Sequence, residues 1–294
     1  MKYIKENFII FLIIVLFASI LTAVLFIYYN SDYKADNKNI RIASLSPSIT
    51  EYIYDIKMDK YLIADTTYCN YPEQAKYKEK IGSFSDINYE MVAKLNINTA
   101  IIHSHMAEQK LRLEKMGIKV IVINNNTIDD ILSAYDILGD AFNIKNITDE
   151  RKNEIISKIN SIKNNIKKHN KKTAVVSIFR NYGSKVSSIT AAGGNNIYND
   201  ILNILNLKNP FENLPAYTEV SLESIIASNP DVIFDLYHGR DTTYAYNDWK
   251  NIPLNAVNDN KIIILYDTYL SLPGPRIDKI IEKFASEYNR VSND

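Results

Sequence analysis

The stretch "TDERKNEIISKINSIKNNIKKHNKK", residues 148–172, decides the fold. Ile155, Ile159, Ile162 and Ile166 recur at helical spacing, acids sit early and lysines late as the helix dipole favours, and Thr148 stands where an N-cap is expected. The segment reads as one helix of about 22 residues, roughly 33 Å long. Taken alone, it is equally an ordinary amphipathic surface helix. Its surroundings favour a connector, because a complete series of β-rich and helical patterns lies on each side.

The first series contains "IRIASL" (40–45), "YLIAD" (61–65), "TAIIH" (99–103) and "KVIVI" (119–123), spaced by helical patterns such as "MAEQKLRLEKMG" (106–117). The second contains "TAVVSIF" (173–179), "DVIFDL" (231–236) and "KIIIL" (261–265), and closes with a helix from about Arg276 to Tyr288. Alternation of this kind predicts an α/β fold of two Rossmann-like lobes, each with a mainly parallel sheet, joined by one long rigid helix. The expected divisions are an N-terminal lobe over 40–145, the connector over 146–172 and a C-terminal lobe over 173–294.

The two series also echo each other. "NYEMVAKLNINTAIIH" (88–103) and "SLESIIASNPDVIFD" (221–235) both run from a cap residue through Glu and a short apolar helix to an Asn-containing turn and a strand. Glu90 and Glu223 occupy the same place in each copy. An acid in a first helical turn gains about 0.3–1 kcal/mol from the dipole, which accounts for either one alone but not for their correspondence.

Ahead of the lobes, 8–29 is an uncharged run of 22 residues, long enough as a helix to cross roughly 30 Å of hydrocarbon. Residues 1–7, with Lys2 and Lys5, are expected on the cytoplasmic side, and 30–39 forms a polar tether. Small residues lie inside the run rather than after it, so an uncleaved anchor is favoured over a cleaved signal peptide. No cysteine stands directly after the run, which excludes a lipoprotein anchor; the single cysteine, Cys69, also excludes a disulfide framework. The expected location is the outer face of the cytoplasmic membrane.

Charge and motifs narrow the function. The 34 basic and 34 acidic residues cancel, so no global field draws the chain to nucleic acid. There is no phosphate loop, nucleophile elbow or HExxH pattern, and no enzyme constellation is evident. The 21 tyrosines fit either a half-wet binding cleft or a compositional bias towards Lys, Asn, Ile and Tyr. His103 and His238 each follow a predicted core strand, one per lobe, where open α/β sheets present ligand groups. With His105 and Asp267 they form a candidate metal site, though rim or hydrogen-bonded histidines are the commoner outcome. His169 reads as a solvated helix-end residue. Tyr68, Phe84, Tyr182, Tyr217 and Tyr269 occupy loops around the strands of both series, where a ligand between lobes would be touched.

Seven separated motifs carry a resemblance: "RIASLSPSITE" (41–51), "TTYCNYPEQAK" (66–76), "IGSFSDINYEMVAKLNINTAII" (81–102), "LEKMGIKVIVI" (113–123), "AAGGNNIYNDIL" (191–202), "EVSLESIIASNPDVIF" (219–234) and "LPGPRIDKIIEKFA" (272–285). In order and over nearly all of 40–290, the chain resembles the substrate-binding proteins of ABC importers for cobalamin, ferric siderophores or haem. The resemblance implies a protein that binds and delivers, with little hinge motion and no intrinsic cofactor. Its cargo would be a metal complex and its partner an ABC permease dimer with ATPase subunits. Glu90 and Glu223 match the glutamates that dock such proteins onto permease arginines. Tyr68, Phe84, His103 and Tyr217 match aromatic positions of the cobalamin cleft, and Asp267 a polar one. Phe84 and Tyr217 stand where the cobalamin binder has tryptophan, which leaves the ligand open. His103 or His238 is expected to reach a metal only through a bound complex, and Arg180, Arg240 or Arg276 to neutralise carboxylates of a siderophore or haem. The alternative from another class is an envelope metal-binding or structural protein that reuses the fold without a transporter.

Overall fold

The computed structural model describes residues 39–166, 172–238 and 242–292, together with Val15, Ser19 and Thr22. The expected membrane anchor and tether lie otherwise outside the described residues, as do His169 and Arg240. Among the described residues no helix is long and apolar enough to cross a membrane.

Buried apolar strands and one-sided helices build the first lobe: β1 (Ile42–Ser44), α1 (Pro47–Asp55), β2 (Leu62–Asp65), β3 (Glu79–Lys80), α2 (Tyr89–Lys94), β4 (Thr99–His103), α3 (Ala107–Lys115), β5 (Lys119–Ile123) and α4 (Ile128–Phe142). The strands order as β3-β2-β1-β4-β5 and every pairing is parallel. Each connection is long enough to return the chain to the same end, as parallel pairing requires. β1 and β4 are buried along their whole length, the pattern of strands covered on both faces.

Helix α5 (Lys145–Asn165) links the lobes, and its 21 residues span about 31 Å. It starts three residues before Thr148, which is therefore not its N-cap. Helix α4 ends on Asn143 in the left-handed conformation, and the next helix begins at once from Ile144. Thr148 is buried, donates to the Lys145 carbonyl, and lies where a Cβ on Gly139 would come within 2.3 Å of its Oγ1. The position expected to cap a helix instead seats one helix against another. Ile155 and Ile166 are buried and Ile159 and Ile162 pack partly against the core, as their spacing predicts.

The second lobe contains β6 (Ala174–Phe179), β7 (Ser188–Ala192), α6 (Ile197–Ile204), β8 (Tyr217–Ser221), α7 (Leu222–Ser228), β9 (Val232–Leu236), α8 (Thr242–Trp249), α9 (Asn255–Asn258), β10 (Ile262–Leu265) and α10 (Ile277–Ser292). Its order is β10-β9-β6-β7-β8. The β10/β9 and β9/β6 pairings are parallel, whereas β6/β7 and β7/β8 are antiparallel. This sheet is mixed rather than mainly parallel, because only 180–187 separate β6 from β7, and a parallel return needs about a dozen residues.

One apolar cluster runs through both lobes. It takes in Ile42, Tyr52, Ile131 and Phe142 from the first, Ile155 from α5, and Ile197, Phe234 and Phe284 from the second. Polar ties cross the same boundary. Arg276 binds Glu51 through both carboxylate oxygens at 2.7 and 2.5 Å, with its guanidinium 4.2 Å from the Tyr71 ring centre and 5.1 Å from that of Tyr269. Arg151 on α5 reaches Asp55 on α1, Asp278 on α10 and the Pro275 carbonyl. The Asn125 amide donates to the Pro273 carbonyl, and the Ile128 backbone N–H to Asp200.

Glu51 is 4 % exposed, and burial pushes its carboxyl above the usual range against the pull of Arg276. Arg276→Ala strands that carboxylate, and urea unfolding at pH 7 is expected to show a loss of about 3 kcal/mol. Adding Glu51→Gln should restore more than half of it. Equal stability of single and double variants would assign the clasp to the aromatic stacking instead of the charges.

Candidate functional site

Parallel strands share one carboxyl edge, so the first-lobe topology gathers Ser46 and Ser48 after β1, Tyr68 after β2, Phe84 after β3, His103 and His105 at β4, and Asn125 after β5. The parallel half of the second lobe gathers Tyr182 after β6, His238 after β9, and Asp267 and Tyr269 after β10. The Asn125 to Pro273 bond and the stacking of Arg276 between Tyr71 and Tyr269 join these same loops. The loops at the two carboxyl edges therefore meet, and the space beside them is the candidate cleft, the usual place for ligand in such sheets.

Exposed aromatic rings are the candidate walls. Tyr68, Phe84 and Tyr217 are 64 %, 51 % and 52 % exposed, large apolar surfaces for single side chains. Phe84 rides a tight loop closed by hydrogen bonds between Ser83 and Asp86, and its carbonyl accepts from Gln109. The loop needs glycine at 82, whose φ is +92° and where a Cβ would meet the Asp86 carbonyl at 2.1 Å. Tyr217 opens the antiparallel strand β8 beside Tyr198, whose hydroxyl donates to the Leu270 carbonyl after β10. Phe179, which the sequence reading passed over, is also half exposed and packs against Tyr182 and His238. Its place as the last residue of a strand pattern was the available signal.

Several candidates are already engaged. His103 is buried, with Nε2 at 2.9 Å from Ser46 Oγ and 3.0 Å from Ser48 Oγ, and Nδ1 at 3.2 Å from the Ile123 carbonyl. Nδ1 thus carries the proton, Nε2 accepts from the hydroxyls, and neither nitrogen is open to a metal. The Tyr182 hydroxyl donates to the Leu236 carbonyl and accepts from the His238 backbone N–H, while His238 Nε2 lies 3.0 Å from the Ile178 carbonyl. Arg180, expected near a ligand carboxylate, is buried in ion pairs with Asp235 at 2.8 Å and Asp248 at 2.6 Å. Arg276 is committed to Glu51. Asp267 lies 3.7 Å from Lys283 and, with His238 and Ser271, lines a cavity of about 120 Å³.

The candidate metal cluster of His103, His105, His238 and Asp267, the less favoured reading of these histidines, does not assemble; among the described residues no group of three or more His, Cys, Asp or Glu could hold an ion. Cys69 is buried and accepts a hydrogen bond from Thr50.

Glu90 and Glu223 are both exposed and both stand second in their helices, α2 and α7. Asn88 and Ser221 cap those helices by accepting from the N3 backbone N–H. The local backbone N–H and the Ser221 hydroxyl hold the Glu223 carboxyl below its usual range. Left-handed asparagines, Asn96 and Asn229, follow the helices and turn the chain into β4 and β9. The sequence echo is thus a structural one.

A family description of periplasmic binding proteins matches residues 42–267. The chain belongs to the periplasmic binding protein family. It is a binding protein, not an enzyme. It is 24% identical over 265 residues to an uncharacterised ABC transporter substrate-binding lipoprotein of Bacillus subtilis, covering 87% of this chain and 82% of that one. To a vitamin B12-binding protein of Vibrio parahaemolyticus it is 25% identical, covering 87% and 92%. The solved structure of a possible iron-binding periplasmic solute-binding protein from Staphylococcus epidermidis superposes with a TM-score of 0.74 at 26% identity, covering 84% of this binding protein and 97% of that chain.

Burial drives the His103 imidazole down to about 4 from the ordinary 6.5. The unfolded chain therefore takes up a proton near 6.5 that the folded one refuses until about 4, so stability is full above 6.5 and falls as pH drops through that window. Asp65, pushed up to about 6 by burial, works in the opposite sense, so the comparison needs a variant. Between pH 7.5 and 4.5 the stability advantage of the natural protein over His103→Gln should shrink by roughly 2–3 kcal/mol in urea titrations. A constant difference would mean that His103 protonates freely in the fold.

Proposed function

We propose that the protein captures an iron complex, either siderophore or haem, or a cobalamin-type corrinoid in the cleft, and delivers it to an ABC permease with its ATPase subunits. The observation that supports this best is the meeting of loops at the two carboxyl edges, with half-exposed aromatic rings in both lobes. Rigid rings give large contact area at small entropic cost, and suit a broad, flat ligand. The relatives point the same way, since one is a vitamin B12-binding protein and another a possible iron-binding protein.

In this reading Tyr68, Phe84, Tyr217 and Tyr269 touch the ligand, Asp267 supplies a polar contact, and Tyr182 and His238 shape the second-lobe wall. Arg276 sets the spacing of the walls instead of binding a carboxylate. His103 anchors the floor by holding Ser46 and Ser48. The division into lobes at 40–145 and 173–294 around a rigid connector belongs to the same proposal, as does anchorage of 8–29 in the cytoplasmic membrane, with the lobes outside. Glu90 and Glu223, matched in helix position and exposure, are the two points of contact with permease arginines. Charge-assisted pairs at two separated points fix orientation as well as attraction.

The test combines binding and uptake. The purified chain is titrated with haem, cobalamin and a ferric siderophore, and uptake of the one that binds is measured in cells carrying the natural protein or the Glu90→Arg, Glu223→Arg double variant. Binding tighter than about 10 μM, near −7 kcal/mol, is expected for one of them. The double variant should keep its affinity within about twofold and lose uptake. Failure of all three ligands to bind would overturn the ligand class, and loss of affinity in the double variant would overturn the separation of capture from docking.

A further inference from the structure

His103 is the sequence-level choice for contact with a ligand's metal, but both its nitrogens are hydrogen-bonded and its ring is buried. Two residues further on, His105 is exposed and stacks nearly parallel on that ring, with centres 5.7 Å apart and 17° between planes. No hydrogen-bond partner engages its imidazole among the described residues. His103 in turn is locked through Ser48 to Asn125, which crosses to Pro273 of the second lobe. The stack therefore stands beside the junction of the two lobes, on the edge that carries Tyr68 and Phe84. An unpaired imidazole braced on a fixed, neutral ring is a preorganised nitrogen donor at the cleft.

We infer that His105 coordinates the metal of the cargo, and that the cargo is accordingly a metal chelate with an exchangeable axial position. This rests on the reading of the cleft as a site for a metal complex and narrows it. Coordination needs a vacant or water-occupied position: the nitrogen lone pair forms the new bond, the coordinated water leaves, and no electron is transferred. Planar iron porphyrins and cobalt corrinoids offer such a position, whereas a hexadentate ferric hydroxamate has all six filled by its own oxygens. The two guanidiniums described near the cleft, Arg180 and Arg276, are each paired with acids, so they give a highly anionic chelate no free partner.

The experiment uses the full chain, with ferric haem, aquocobalamin and ferrioxamine B as probes, followed by visible spectroscopy. Haem or aquocobalamin should bind with the spectral change of nitrogen replacing water, and ferrioxamine B should bind more weakly or not at all. His105→Ala should bind at least tenfold more weakly and lose that change, and millimolar imidazole should restore the spectrum in the variant. His103→Gln should bind more weakly yet still show that change at saturation, since it removes the brace and not the donor. Two outcomes overturn the inference while leaving the binding function intact: an unchanged spectrum and affinity in His105→Ala, or tight binding of ferrioxamine B alone. If none of the three probes binds, the metal-complex reading of the cleft fails along with it.

Discussion

Everything at the cleft depends on how the two lobes are held in register, and Arg276 is where that constraint is most concentrated. Its guanidinium satisfies the nearly buried Glu51 of the first lobe while stacking between Tyr71 of that lobe and Tyr269 of its own. A lysine could supply the charge but not the flat fork or the two π faces. The loops so joined are those that carry Tyr68 and Asp267, so the separation of the walls is fixed by the same contact that joins the lobes. Arg151 repeats the device from the connecting helix, tying Asp55 and Asp278 across the boundary. Both arginines act at sites that exclude water on one side, where paired charges matter more than at a surface.

The architecture was largely legible because it is written in local patterns. The apolar strand runs, the isoleucine period of the connector and the repeated cap, Glu, helix and strand unit each need only neighbouring residues to be recognised. What was missed depends on partners far away. β7 and β8 are short and partly exposed, and take their identity from pairing with each other and with β6. Thr148 has the chemistry of a cap but sits inside a helix, because Gly139, nine residues earlier, offers it a seat. Such choices are made by packing, not by propensity.

The site divides along the same line. That Tyr68, Phe84, Tyr182, His238 and Tyr269 lie in segments that follow strands comes from the alternation of elements, whereas Tyr217, read as a loop residue, opens β8. Whether a given group is free to act is not written in that alternation. Arg180 finds Asp235 and Asp248 more than fifty residues away, and Arg276 finds Glu51 at a separation of 225. His103 looks like a donor at a strand end until Ser46 and Ser48 fold over it. Sequence spacing located the chemistry, and only tertiary contacts revealed which part of it was already spent.

The apolar cluster shared by both lobes carries a consequence for how the molecule comes apart. Ile155, Phe234, Phe284 and Tyr52 belong to one continuous body of side chains, so each lobe shares much of its interior with the other, beside a smaller apolar cluster of its own. The shared cluster couples the two lobes in melting, and the amides of β1 and β9, which give Ile42 and Phe234 to it, should exchange with solvent chiefly through opening of the whole. Loosening either lobe therefore costs contacts in the other.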